Sequence, residues 1–357
     1  MRKKIFAPLT IFAALTALTC VSLAGSAMAQ AQSTPRFVTL PPRYLSNVLA
    51  PATPTVTNWT GSLSPGGTSF TMVGTNPQTT NTATTVTAYL IPIRIVINPT
   101  PNGIFDPAHV LANGRNVIQN TALSPIFNSG IDFVQGGVDL GNTQYIDAYQ
   151  RGNFWSDVSI NTNYHVLLNL VVLPEVTINV PPASGKIATE FGVRAALVDI
   201  NFFDARLQQI ISGNSQITPD SLPIALTYNT YLTSGGCCIG GYHSAFGSAS
   251  SPQTYSHFTY IDRAGAFAQD VSALSHEVGE WMDDPFIDNP GCGGFLENGD
   301  PLEGAPNFGA VPYTLNGFTY NLQDLVFLQY FGQSPSTSVN HWFSFQNANL
   351  QVCSNGQ

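Results

Sequence analysis

Chemistry concentrates in one stretch, Ser275-His276-Glu277-Val278-Gly279-Glu280-Trp281-Met282-Asp283-Asp284-Pro285. The spacing predicts a helix over residues 269–282. At about 100° per residue, Val271, Leu274, Val278, Trp281 and Met282 gather on one face, while His276, Glu280 and Asp283 fall within about 60° of one another on the other. One face packs and the other presents ligands. His276 and Glu280, at i and i+4, stand one turn apart, a spacing that lets two side chains grip one cation. Glu277 is rotated off that line and placed to hold a water. Zinc accepts histidine and carboxylate ligands in three-ligand sites that leave a fourth position for water, so Zn²⁺ is the expected ion, with another divalent cation open. Asp283 and Asp284 point the same way, because a helix C-terminus disfavours anions and a nearby cation would relieve them. The competing expectation is a surface helix whose histidine and carboxylates are merely solvated.

A second stretch, Cys292-Gly293-Gly294-Phe295-Leu296-Glu297-Asn298-Gly299-Asp300-Pro301, brings two more carboxylates close behind the helix. Glu297 is the natural third ligand, and Asp300 is either a ligand or a group that orients one; the alternative is that Asp300-Pro301 is only a turn. His243 and His257 precede the helix and are candidates for a fourth ligand or a transition-state donor. His109, His165 and His341 have no acidic cluster nearby and default to structure. Tyr242 and Tyr320 are candidate oxyanion donors. The helix has the arrangement of the zinc-metallopeptidase His-Glu-x-x-His motif with Glu280 in place of the second histidine. No Gly-x-Ser-x-Gly elbow, phosphate loop or dinucleotide fingerprint occurs, which disfavours serine hydrolases and nucleotide enzymes.

The His-Glu-x-x-Glu motif followed by Asp-Pro, then Glu297-Asn298-Gly299-Asp300, resembles the secreted zincin-like proteins related to the EXORDIUM, or phosphate-induced protein 1, group and its bacterial relatives. Cys238-Ile239-Gly240-Gly241-Tyr242-His243-Ser244-Ala245 resembles a Gly-Tyr-His-Ser segment of the bacterial members. The likeness covers about residues 227–330. It implies a metallopeptidase-like fold in which His276 and Glu280 are metal ligands and Glu277 is the catalytic carboxylate.

These residues need elements to position them. Strands are expected at 86–98, 164–172, 195–200, 222–232 and 255–261, and further helices at 106–120, 203–211 and 321–330. Pro92 argues for an edge or bulged position in the first strand, and Asp106-Pro107 reads as the N-cap and first position of a helix. Residues 30–87, rich in Thr, Pro, Ser, Asn and Gly, read as an extended, loosely ordered arm. The expected class is therefore α+β: a zincin-like mixed sheet with an active-site helix over residues 88–357, behind that arm.

Composition sets the compartment. Residues 1–29 carry a basic start, an apolar run and an Ala27-Met28-Ala29 site, the pattern of a secretory signal peptide. Removing Arg2, Lys3 and Lys4 takes the formal charge from −9 to −12 and leaves Lys186 as the last lysine, which gives nucleic-acid binding no support. No later run reaches the ~18 apolar residues of a membrane span, so no membrane association is expected after signal cleavage. Cys237, Cys238, Cys292 and Cys353 remain, an even number suited to disulfides in an oxidising, extracellular or periplasmic compartment. Trans geometry disfavours pairing of adjacent cysteines, so Cys237 and Cys238 are expected to bridge separately to Cys292 and Cys353.

The sequence thus predicts a secreted zinc-dependent, metallopeptidase-like hydrolase acting on a peptide or protein substrate. Glu277 is its catalytic carboxylate, and His276, Glu280, Glu297 and Asp300 are the candidate ligands. Its alternative is a non-catalytic extracellular or cell-surface protein with a structural metal site. A carbohydrate-binding module rests only on aromatic and Asn/Thr richness. Oligomeric state is open.

Overall fold

Twelve strands assemble into one curled mixed sheet in a computed structural model that describes residues 34–44, 55–62, 68–97, 101–333 and 336–353. The expected signal peptide, residues 1–29, lies outside the described residues, as do residues 30–33. In chain order the strands are β1 (Arg36–Thr39), β2 (Arg43–Tyr44), β3 (Ala83–Val96), β4 (Ile104–Phe105), β5 (His165–Val172), β6 (Val176–Asn179), β7 (Gly185–Glu190), β8 (Val193–Asp199), β9 (Leu222–Tyr228), β10 (Thr230–Thr233), β11 (Ile239–Ser248) and β12 (Ser251–Tyr260). They pair in the order β6-β3-β9-β12-β11-β10-β8-β7, with β4 and β5 also on β3, and β1 and β2 on β11. Helices α1 (Val117–Ala122), α2 (Tyr145–Asn153), α3 (Trp155–Val158), α4 (Ile200–Ser212) and α5 (Ser272–Asp283) are few and mostly short. None of the described helices is long and apolar enough to cross a membrane.

Strand β3 shows why the sheet has two cores. Alternation sends Val86, Ala88 and Leu90 to one face and Ile91, Ile93 and Ile95 to the other. The first face packs against α2 and α5 through Tyr145, Tyr149, Leu274, Val278, Trp281 and Met282. The second packs against α4 through Phe203, Leu207 and Ile211. Pro92 sits inside this strand without breaking it. Leu90 accepts a backbone hydrogen bond from Leu173 on the β5 side, so by alternation Pro92 faces that side too, at the break between the end of β5 and the start of β6, where no ladder donor is needed.

Several expected elements fold differently. Of residues 106–120 only the last few are helical. Asp106 accepts from the Ala108 amide as a turn, Gly114 turns the chain at φ 81°, and α1 starts later from a reciprocal cap between Asn116 and Gln119. The helix expected at 321–330 is instead the hairpin strand Phe318–Gln323, paired with Ala310–Leu315, then a 3₁₀ turn at Leu328–Phe331. Asn316 and Gly317, both at positive φ, make the tight hairpin turn that Asn-Gly favours.

The described parts of residues 30–87 are integral to the fold. β1 lies parallel to β11, with Thr39 opposite His243, and the hairpin Asn58–Ser62 with Ser69–Val73 buries Trp59, Phe70 and Met72. The disulfide expectation is also corrected. Cys237 bonds to Cys238 and Cys292 to Cys353. The peptide between the adjacent pair is cis, which brings their Cα atoms to 3.0 Å rather than the trans spacing that the expectation assumed.

Helix α5 is buried at every residue. β11 and β12 flank it on one side and the Phe318–Gln323 strand on the other, and Gly279 admits Leu325, whose Cδ1 would stand 2.5 Å from an added Cβ. Asp270 anchors its start, accepting from the Val271 amide at 2.5 Å and from Asn321 through both backbone and side chain. Burial nonetheless lifts this carboxyl from 3.8 to about 7. Between those values the folded chain holds a proton that the unfolded chain has released, so the contribution is complete below pH 3.8 and is lost as pH rises towards 7. Asp270→Asn removes the titration, and Asn tolerates the left-handed backbone of this position. The difference in melting temperature between Asp270→Asn and wild type is therefore expected to move in the variant's favour from pH 4 to pH 7; a pH-independent difference would show that Asp270 does not titrate there.

Candidate metal centre

Three elements converge on one buried point. Helix α5 supplies His276, Glu277 and Glu280, each fully buried. Strand β11 supplies His243, also fully buried; its neighbour Tyr242 faces the opposite side by strand alternation and bonds Asp204 at 3.1 Å. The loop after α5 supplies Glu297 and Asp300.

Glu280 stands between the two imidazoles. Its Oε1 lies 3.1 Å from His276 Nε2 and accepts from the Gly299 amide at 3.1 Å. Its Oε2 lies 3.5 Å from His243 Nδ1. Asp300 Oδ1 is 3.4 Å from His276 Nε2, and Glu277 Oε2 is 3.4 Å from His243 Nδ1. Two groups result, His243 with Glu277 and Glu280, and His276 with Glu280 and Asp300. Within each, the ligand atoms lie within 4.8 Å of one another, so each could hold a metal ion. The buried atoms His243 Nε2, His276 Nδ1 and Nε2, Glu277 Oε1, Glu280 Oε2, Glu297 Oε2 and Asp300 Oδ1 have no hydrogen-bond partner. Buried polar atoms normally find one, so this concentration suits a cation.

The electrostatics follow from burial and proximity. Burial opposes a charged His276, but Glu280 and Asp300 outweigh it and hold the imidazole well above its usual range. Burial likewise opposes charge on His243, outweighed there by Glu277 and Glu280. Glu280 stays below the usual carboxylate range because the imidazoles outweigh its desolvation. Burial lifts Glu277 to about 7 and, with the Glu280 charge, Glu297 to about 10.

Of the residues expected from the sequence, the structure brings His276, Glu280 and Asp300 together and sets Glu277 against His243. Glu297 is half-buried beside them, within the fields of Glu280, His243 and Asp300. Asp283 points elsewhere. Its carboxylate lies 2.9 Å from the Tyr149 hydroxyl and accepts from Asn298 Nδ2 at 2.9 Å and Gln150 Nε2 at 2.5 Å. Asp284 accepts from the backbone amides of Asp288 and Asn289. Hydrogen-bond donors thus serve Asp283 and the Oδ1 of Asp284 at the α5 terminus, where a cation was expected, while Asp284 Oδ2 has no hydrogen-bond partner. His257 faces the α4 side, between Phe203 and Tyr242, and Tyr320 bonds Asn120. His109 stacks on Tyr228, and His165 pairs with Asp147.

Other contributors carried no signal as chemistry. The Phe37 ring lies 4.0 Å from that of His276, and the Phe37 amide donates to Glu303 Oε1 at 2.6 Å, so β1 covers the site. Gly241 and Gly299 make room for it. A Cβ on Gly241 would stand 2.6 Å from Glu277 Oε1, and one on Gly299 would collide with His276 Nδ1. Asn298 ties the loop to α5, reaching both Asp283 and Tyr149.

Comparison of the chain with known protein families, with curated proteins and with solved structures returns no match. The site must be read from its own geometry. Gly299 has an ordinary helical backbone, φ −94° and ψ −36°, so Gly299→Ala acts through the collision alone. It is expected to displace the His276 ring and destabilise the chain by about 1–3 kcal/mol; an unchanged melting temperature would refute the packing.

Proposed function

We propose that this chain is a secreted zinc-dependent, metallopeptidase-like hydrolase. The observation that carries the reading is the set of buried imidazole and carboxylate atoms without a hydrogen-bond partner, crowded together on α5, β11 and the Glu297–Asp300 loop. His276, Glu280 and Asp300 would hold the ion, with Glu297 beside them. Zinc held there would supply a Lewis acid and acidify a bound water, less strongly than at an all-histidine site because the carboxylate ligands donate more negative charge.

The chain's own residues do the rest. Glu277 is next to the ligand His276 in sequence but turned towards His243, whose Nδ1 holds one of its oxygens at 3.4 Å. Its other oxygen is free of hydrogen bonds and packs against Gly241, where a side chain would displace it. That oxygen takes the proton of the attacking water and delivers it to the leaving amine. Phe37 and the surrounding apolar residues exclude bulk water, which strengthens every charge interaction inside. The signal-like residues 1–29 support export, and the motif likeness to the EXORDIUM-related group supports the hydrolase class.

A second reading, a structural metal in a non-catalytic extracellular protein, is favoured by one observation: His243, His276, Glu277 and Glu280 have no exposed surface, and among the candidate ligands Asp300 is the more open, its side chain 39% exposed. In that case zinc raises the melting temperature by linkage without turnover.

One pair of variants separates the readings. Glu277→Gln is expected to lower hydrolysis of a peptide library by about 10²- to 10⁴-fold while the ion at His276 is retained, and His276→Ala is expected to lose that ion and the activity together. Zinc binding without turnover in wild type would select the structural reading, and zinc retained at the site in His276→Ala would refute the ligand assignment.

A further inference from the structure

We propose that the centre has a second cation site, formed by His243, Glu277 and Glu280, with Glu280 bridging it to the ion held at His276. This rests on the metal reading above and extends it. The two ligand groups coincide only at Glu280. That carboxylate presents one oxygen to each imidazole, Oε1 at 3.1 Å from His276 Nε2 and Oε2 at 3.5 Å from His243 Nδ1. A carboxylate so placed can bind two ions at once, one through each oxygen.

Charge makes the same demand. Glu277, Glu280, Glu297 and Asp300 place four carboxyl groups around two imidazoles, and an imidazole that ligates a metal is neutral and offsets none of them. Glu277 and Glu280 are fully buried side by side, and a second divalent cation between them and His243 supplies the positive charge that this half then lacks. The half around His243 is also built to receive an ion. His243, Glu277 and Glu280 are fully buried, His243 Nδ1 lies 3.4 Å from Glu277 Oε2 and 3.5 Å from Glu280 Oε2, and that Glu280 oxygen has no hydrogen-bond partner. Gly241 keeps side-chain bulk away from Glu277 here, as Gly299 does from His276 in the other half. The combined donor set of carboxylate oxygens and imidazole nitrogens suits first-row divalent cations such as Zn²⁺ and Mn²⁺. An ion at His243 takes Glu277 as a ligand and so removes the carboxylate that the proposed reaction uses as its base. The second ion is therefore a brake on turnover and a clamp on the fold.

The test counts ions. The full-length chain is stripped with a chelator and titrated with Zn²⁺ alone, and bound zinc per chain is measured by equilibrium dialysis with elemental analysis. Wild type is expected to take two equivalents, and His243→Ala and Glu277→Gln one each. One equivalent in wild type overturns the second site and leaves the first intact. None in wild type overturns the metal reading itself. Two equivalents retained in the variants would place the second ion elsewhere and overturn the assignment. If circular dichroism shows that His243→Ala does not fold, the nearly isosteric Glu277→Gln decides.

Discussion

Two imidazoles and two carboxyl groups, those of His243, His276, Glu277 and Glu280, fully buried with Glu297 and Asp300 at their margin, are the constraint on which the rest of this structure depends. Charges removed from water must meet opposite charges or hydrogen-bond donors, or they destabilise the fold by more than most core contacts contribute. Here the compensation is partly internal, through Glu280 between His276 and His243. The atoms left unpartnered on both sides of that bridge define where cations fit.

The supporting shell is itself polar and extensively hydrogen-bonded. Asp283 gathers Tyr149, Gln150 and Asn298, joining α2, α5 and the ligand-bearing loop in one buried network. Asp270 and Asn321 join the start of α5 to the C-terminal hairpin. The Cys292–Cys353 disulfide holds the chain just ahead of Glu297, and closing a loop of this length restricts the unfolded chain by about 4 kcal/mol on the chain-entropy account. The loop carboxylates therefore sit on a braced platform. What seals the top is β1, whose Phe37 covers His276; what remains open is the side of Asp300. A hydrolase built this way admits substrate from the Asp300 side or by movement of β1, and a structural metal site needs neither.

Much of the site was legible because helical spacing is a local property. His276 and Glu280 at i and i+4 meet one another in any α-helix, and Glu277 is turned away in any α-helix. Asp300 was legible as a carboxylate soon after the helix. His243 could be named as a candidate and no more, since its place depends on which face of β11 meets α5, and strand alternation assigns that only once the sheet is formed. Asp283 shows the reverse: its angle on the helix matched the ligands, but Tyr149, distant in sequence, claimed its carboxylate. The turn at Asn316-Gly317 was a readable hairpin signal that the apolar pattern of residues 321–330 obscured.

The sequence by itself determined the helix that carries His276, Glu277 and Glu280 and the alternating strands around residues 83–96 and 165–172, because periodicity and short motifs act over a few residues. The tertiary structure alone decided that α5 is buried on all sides, that residues 36–39 pair with β11 over the site, and that Glu280 serves two groups at once. Those outcomes depend on long-range packing and on the compensation of buried charge, which bring together residues more than two hundred positions apart, such as Phe37 and His276.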